Sequence, residues 1–102
     1  MGKTIVIDMD GTICEECNTF DKYCAKPLLG VIENINKLYE EGNIIIIHTA
    51  RAWPMFKMTK EWLDKHNVHY HSLICGKPQA DYIIDDRSYR SIHSFMRDRP
   101  NG

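Results

Sequence analysis

Asp8-Met9-Asp10-Gly11-Thr12 directly follows the apolar run Ile5-Val6-Ile7, and the reading of that junction decides the fold. The run has the character of a buried strand, and Thr4 to Ile7 is expected to be apolar on both faces. The two aspartates stand just past its end, where the chain must leave a sheet. Gly11 lets the backbone turn there at low steric cost. A buried, unpaired carboxylate is expensive, so a cation or a charged substrate is the natural partner of such a pair. In isolation, an Asp-x-Asp after a strand is only a polar loop. Here later strand or helix ends supply matching polar groups.

Working outward, Pro27 suits a first helical position. Leu28, Val31, Ile32, Ile35, Leu38 and Tyr39 recur at helical spacing up to Gly42, a suitable C-terminal cap. Ile44 to Ile47 reads as a second buried strand, favoured by β-branching, and it ends at His48-Thr49-Ala50-Arg51. Pro54 opens a second helix with Met55, Met58, Trp62 and Leu63 along one stripe, and Asn67 as its stop. Ser72 to Cys75 is a short third strand. Gly76-Lys77-Pro78 breaks the pattern before a fourth, Tyr82-Ile83-Ile84, which runs into Asp85-Asp86-Arg87. Ser88 is expected to cap a last helix carrying Tyr89, Ile92, Phe95 and Met96. The tail from Arg97 to Gly102 is polar and expected to fray.

Strands alternating with helices predict a parallel sheet covered by helices on both faces. In such sheets ligands bind beyond the carboxyl ends of the strands. Three of the four expected strands end there in polar chemistry: Asp8/Asp10, Thr49/Arg51 and Asp85/Asp86. Converging carboxylates repel, and an oxygen-seeking Mg²⁺ relieves that repulsion. Lys77, Thr49 and backbone amides after Asp8 complete a site for a phosphoryl group. One carboxylate can attack phosphorus, and a second can move the proton of the leaving group or of water.

Composition sets the outer limits. The 102 residues suffice for one domain, 1–102, with a single core. A net charge of −1 with scattered Lys and Arg argues against gripping nucleic acid through its phosphates, although a strand end remains a conceivable substrate. The longest aliphatic run, Ile44 to Ile47, is far too short to span a bilayer. The N-terminus resembles no signal peptide, so a cytoplasmic setting is expected. The irregular stretch 14–26 is expected to form a flap or short hairpin beside the acidic pair. It holds three of the four cysteines, Cys14, Cys17 and Cys24. Free thiols are the expectation, because a zinc site would want a second clear ligand pair. His66, His69 and His71 fit no usual finger spacing and are expected at the surface.

Asp8-Met9-Asp10-Gly11-Thr12, Thr49 after its isoleucine run, Lys77-Pro78, and Asp85-Asp86 after Ile83-Ile84 together resemble the four motifs of the haloacid dehalogenase-like (HAD) superfamily. They come in the right order and cover essentially the whole chain. The resemblance implies a three-layer, Rossmann-like fold with a central parallel sheet of about four strands. It implies Asp8 as nucleophile and Asp10 as general acid and base. Asp8, the Asp10 carbonyl and Asp85 would hold Mg²⁺, with Asp86 as a water-mediated ligand or brace. Thr49 and Lys77 would hold phosphoryl oxygens. An aspartate two residues after the first favours the phosphatase branch. Neither gap between motifs leaves room for a cap domain, so a capless member is expected, open to large substrates or covered by a second subunit.

Within the superfamily the chain is similar to small phosphatases of capsule and surface-polysaccharide biosynthesis. Thr59 to His66 with Ile84 to Arg87 is also similar to the 3′-phosphatase domain of phage-type polynucleotide kinases. A sugar phosphate or similar small phosphomonoester is the expected substrate, with a polynucleotide 3′-phosphate end or a nucleotide as the alternative. Arg51 and Arg87, each two residues past a motif position, are candidates for reading substrate charge; ion pairing without function explains them equally well. Three other classes compete. A phospho-receiver gathers similar groups, but places its adjacent acidic pair early, not last. A binding protein with a decayed site is disfavoured by the intact Asp8, Asp10, Thr49, Lys77 and Asp85. A zinc module on Cys14, Cys17 and Cys24 is the third.

Overall fold

The structure, a computed structural model, describes residues 2–16 and 25–99. In chain order it contains β1 (Thr4–Ile7), α1 (Val31–Glu40), β2 (Ile44–His48), a 3-10 turn (Trp53–Met55), α2 (Phe56–Lys65), β3 (Ser72–Ile74) and α3 (Ile92–Asp98). The three strands form one parallel sheet in the order β1-β2-β3. Thr4 to Ile7 run beside Ile44 to Ile47, and Ile46 to His48 beside Ser72 to Ile74.

Sequential order has a consequence for the layers. Crossovers between parallel neighbours are right-handed as a rule, and both connections here step the same way across the sheet. The helices of both connections therefore fall on the same face. Burial agrees. Ile7, Met9, Ile45, Ile47 and Leu73 point one way and join Val31, Ile35, Leu38, Trp62 and Leu63 in one core. On the other face Val6, Ile44 and Ile74 stay exposed. The expected cover on both faces, and the apolar burial of β1 on both sides, are thus not seen among the described residues.

The helix ends follow local chemistry. At the end of α1, Gly42 N–H donates to Tyr39 O (3.1 Å) and Asn43 N–H to Leu38 O (3.2 Å). Gly42 sits at φ 95°, where glycine carries no Cβ penalty. The same arrangement ends α2 with an asparagine: Asn67 takes φ 61°, and Val68 N–H reaches back to Leu63 O (3.0 Å). Both stops were legible from the residues. The starts were less so. Pro27 lies not in α1 but in a bridge to Cys14, and α1 begins at Val31. The last helix is capped by Ser91, whose Oγ accepts from Ser94 N–H at 3.1 Å, and not by Ser88.

The larger correction concerns Tyr82-Ile83-Ile84. These residues form no strand, and Ile84 is 98% exposed. Among the described residues β1 pairs with β2 alone. A β-prone run becomes a strand only where an edge accepts its backbone, and here it lies against none. The sheet therefore has three described strands, not four.

Around the expected flap, Glu15 N–H donates to Lys26 O and Leu28 N–H to Ile13 O, both at 2.8 Å. The two arms are held together as in a hairpin. Its centre, 17–24, lies outside the described residues, and with it Cys17 and Cys24. Cys14 and Cys75 are buried. Trp62 donates its indole N–H to Ala25 O (2.9 Å), which ties α2 to the returning arm. The histidines serve packing: His66 lies on Trp62, and His69 and His71 on Tyr39. No helix is long and apolar enough to cross a membrane among the described residues.

Candidate active site

The turn after β1 is built on one carbonyl. Thr12, Ile13 and Cys14 all direct their N–H groups at Met9 O, at 3.0, 2.8 and 3.3 Å. Gly11, at φ 83°, makes the reversal possible, and its N–H donates to Cys14 O (2.8 Å). Met9 is buried in the core, so its neighbours Asp8 and Asp10 are presented on the rim.

The second wall is tied to the first through β2. Thr49 N–H donates to Ile74 O, Lys77 N–H to Thr49 O, and Gly76 N–H to Arg51 O, all at 2.9 Å. These bonds bring the loop after β3 back over the end of β2. They place the Lys77 ammonium 3.8 Å from Asp8 Oδ1. Asp8, Asp10 and Lys77 line one cavity of about 370 Å³, together with Glu16, Ala50, Pro78, Gln79, Ala80 and Ile83.

Behind this wall lies a buried ion pair. Arg51 Nε donates to Asp10 Oδ2 at 2.9 Å, and its terminal NH2 to Asp10 Oδ1 at 2.7 Å. The remaining terminal nitrogen donates to Thr59 Oγ1 on α2 (3.1 Å). The Arg51 side chain is only 1% exposed. Burial opposes its charge, but the hydrogen bonds and negative charge of Asp10 prevail, so its pKa is raised. Cys75 nearby is pushed up by burial, against the pull of Arg51. The Arg51 N–H donates to Thr49 Oγ1 (3.1 Å).

The expected site residues thus divide. Asp8, Asp10 and Lys77 come together. Thr49 is fully buried behind the cavity, whose wall at this point is Ala50. Arg51 faces inward onto Asp10. Asp85, Asp86 and Arg87 are exposed and do not line the cavity. Arg87 N–H donates to Asp85 Oδ1 (3.0 Å), and this bond, with help from Asp86, holds the Asp85 carboxyl below its usual range. Arg87 itself stands 3.8 Å from Asp86. Among the described residues no cluster of three or more His, Cys, Asp or Glu side chains is gathered to hold a metal.

Sequence reasoning did not foresee Gln79 or Ile83 on the cavity wall, nor the Arg51–Thr59 bond. Gln79 and Ile83 carry no periodic or charge signal. Thr59 carried one: a polar residue in the register of a buried helical stripe.

A protein from Vibrio cholerae, solved as a structural-genomics target, matches with a TM-score of 0.75 and 34% identity over 86% of this chain and 83% of its own. The chain belongs to the family of that protein. The relative's description names no activity, so this kinship by itself assigns none. No family model and no curated protein matches. A D,D-heptose bisphosphate phosphatase from B. bronchiseptica, complexed with magnesium and phosphate, matches with a TM-score of 0.57 and 15% identity. The match covers 78% of this chain and 52% of that enzyme, so the chain spans about half of it. At that identity the likeness carries the fold alone: the chain shares an α/β fold with that enzyme.

Proposed function

We propose that the protein is a phosphomonoesterase that works through an aspartyl-phosphate on Asp8. The observation that carries this reading is the meeting of Asp8, Asp10 and the Lys77 ammonium at one cavity, with Lys77 3.8 Å from Asp8. A cation beside a carboxylate at an open rim suits a doubly charged phosphoryl group. The Asp8 carboxylate attacks phosphorus, and the bond from phosphorus to the ester oxygen breaks. Asp10 supplies the proton that the leaving oxygen takes up. Water then attacks phosphorus, Asp10 accepts its proton, and inorganic phosphate leaves with Asp8 restored. Lys77 holds the phosphoryl oxygens, and Thr49 braces the wall behind them.

Among the described residues the donor set at the cavity is hard, with carboxylate and amide oxygens from Asp8, Asp10, Glu16 and Gln79 and no thiolate or imidazole. It suits Mg²⁺, which binds through one or two carboxylates and keeps several waters. We assign Asp8 and the Asp10 carbonyl to it, with Asp85, and with Asp86 as a water-mediated ligand or brace. When bound, the ion neutralises charge on the phosphoryl group. Asp85 sits on the exposed segment after Lys77. Ile83, two residues before it, already lines the cavity.

A sugar phosphate or similar small phosphomonoester is the substrate class we favour. The heptose bisphosphate activity of the distant fold neighbour and the modest cavity support it. We read the chain as one capless core domain, with a second subunit as the candidate lid.

The test is hydrolysis of 4-nitrophenyl phosphate in Mg²⁺. Activity should vanish on adding EDTA and in Asp8→Asn, whose circular dichroism should match the parent. Undiminished turnover in that variant would remove the mechanism. A panel of sugar phosphates, nucleotides and 3′-phosphorylated oligonucleotides then ranks substrates, and a sizing column examines the lid. A long-lived phosphoryl group without turnover would favour the receiver class instead.

A further inference from the structure

We propose that Arg51 is a positioning residue, which clamps Asp10 as the base that activates water in the second half-reaction. The inference rests on the phosphatase reading above. It starts from the geometry of the fork. Both Asp10 oxygens accept from Arg51, at 2.7 and 2.9 Å, an arrangement that fixes the plane of the carboxylate as well as its place. A lysine would offer a point charge without the plane.

The clamp is itself immobilised. Thr59 Oγ1 takes one terminal nitrogen of Arg51, and Cys14 Sγ lies 3.8 Å from the other. The Arg51 main chain binds Thr49 Oγ1 through its N–H and Gly76 N–H through its carbonyl. One residue thus links the end of β2, helix α2, the loop bearing Lys77 and the turn bearing Asp10.

A buried ion pair of this kind is a poor source of stability, because desolvating two charges costs about what their attraction returns. Its value lies in where it holds Asp10. With both oxygens accepting from Arg51, the carboxylate is held as an acceptor, the role it takes up once its proton has gone to the leaving group. That is the requirement of the second half-reaction. There water adds to phosphorus, the bond from Asp8 to phosphorus breaks, and the water proton passes to Asp10.

The consequence is separable from a structural role by pre-steady-state kinetics. With 4-nitrophenyl phosphate the leaving group departs without needing a proton, so the first half-reaction survives a misplaced Asp10. In Arg51→Lys, stopped-flow mixing should show a burst of nitrophenolate near one equivalent of enzyme, larger than any parental burst. Steady turnover should be about 100-fold slower, the order expected of a misplaced group. Phenyl phosphate, whose leaving group takes up the proton of Asp10, should lose at least as much activity and show no burst.

An active parent whose Arg51→Lys variant shows no added burst, or turns over 4-nitrophenyl phosphate at the parental rate, overturns the inference and leaves the phosphatase reading standing. A parent with no phosphatase activity overturns both. Should Arg51→Lys fail to fold, Thr59→Val decides with the same readout. A smaller burst in the same direction supports the clamp, and an unchanged time course refutes it.

Discussion

The chain carries two acidic pairs, each behind a run of isoleucines, and they meet different fates. Asp8 and Asp10 follow Ile5 to Ile7, which pairs residue by residue with Ile44 to Ile47. Asp85 and Asp86 follow Ile83 and Ile84, which pair with no strand among the described residues and stand 60% and 98% exposed. The first pair is clamped by Arg51 and faced by Lys77. The second folds only onto its own loop, through Arg87 N–H. Sequence pattern alone does not make a strand; an edge to receive it does.

The sharpest way to break this contrast is to remove one isoleucine from each run. Ile7→Ala should cost about 2–5 kcal/mol in denaturant unfolding, because the side chain is buried and its loss leaves a cavity. Ile84→Ala should stay within about 0.5 kcal/mol, as exposed positions do. Equal losses at both sites would mean that Ile84 is buried in solution.

A second test asks whether the exposed pair nevertheless serves the site. In the proposed ligand set, Asp85→Asn should lower phosphatase activity about 10- to 100-fold and raise the Mg²⁺ concentration needed, with no change in the unfolding midpoint. Asp86→Asn should do the same more weakly. If Asp85→Asn keeps full activity at limiting Mg²⁺, the exposed pair is not part of the metal site and the two regions are functionally separate.

The asymmetry also explains what the sequence could and could not reveal. Parallel β1, β2 and β3 were readable because their isoleucines and Leu73 alternate with the helices that cover them. The union of Asp8, Asp10 and Lys77 was readable because parallel strands deliver their carboxyl ends to one rim. The role of Arg51 was not: two residues past Thr49, it could face outward to substrate or inward to Asp10. The contacts with Thr59 and Cys14 show the inward direction of the side chain. The starts of α1 and α3 slipped by several residues, since Pro27 and Ser88 are good first-turn residues with no helix behind them. The one-sided cover of the sheet follows from strand order, which no single stretch encodes.

Within the well-ordered region, a smaller effect sharpens how it is delimited. Asn67 ends α2 at φ 61° just before the chain enters β3. Asn67→Gly should be neutral or slightly stabilising, whereas Asn67→Ala should cost about 1 kcal/mol, the strain of a Cβ in left-handed backbone. Thermal melts of the two variants side by side measure the difference. A more stable alanine variant would mean that the helix runs on past His66.

The exposed segment is anchored again at its far end, and the smallest predicted effect belongs there. Helix α3 returns to α1 through the buried Ile92 and through Arg99, which meets Glu41 at 2.7 and 3.2 Å. The Arg99 hydrogen bond lowers the Glu41 pKa, against a smaller opposing effect of burial. A carboxyl whose pKa is lower folded than unfolded stabilises the fold above its unfolded pKa, and that contribution fades as the pH falls through the folded value. Glu41→Gln should therefore lower the melting temperature slightly at neutral pH and not at all in strong acid. The pair is partly open to solvent, so high salt should shrink the difference as well. A deficit that persisted in acid and in salt would point to lost packing between α1 and α3 in place of lost charge. The anchor of the exposed segment would then be apolar, resting on Ile92 and its neighbours Phe95 and Met96.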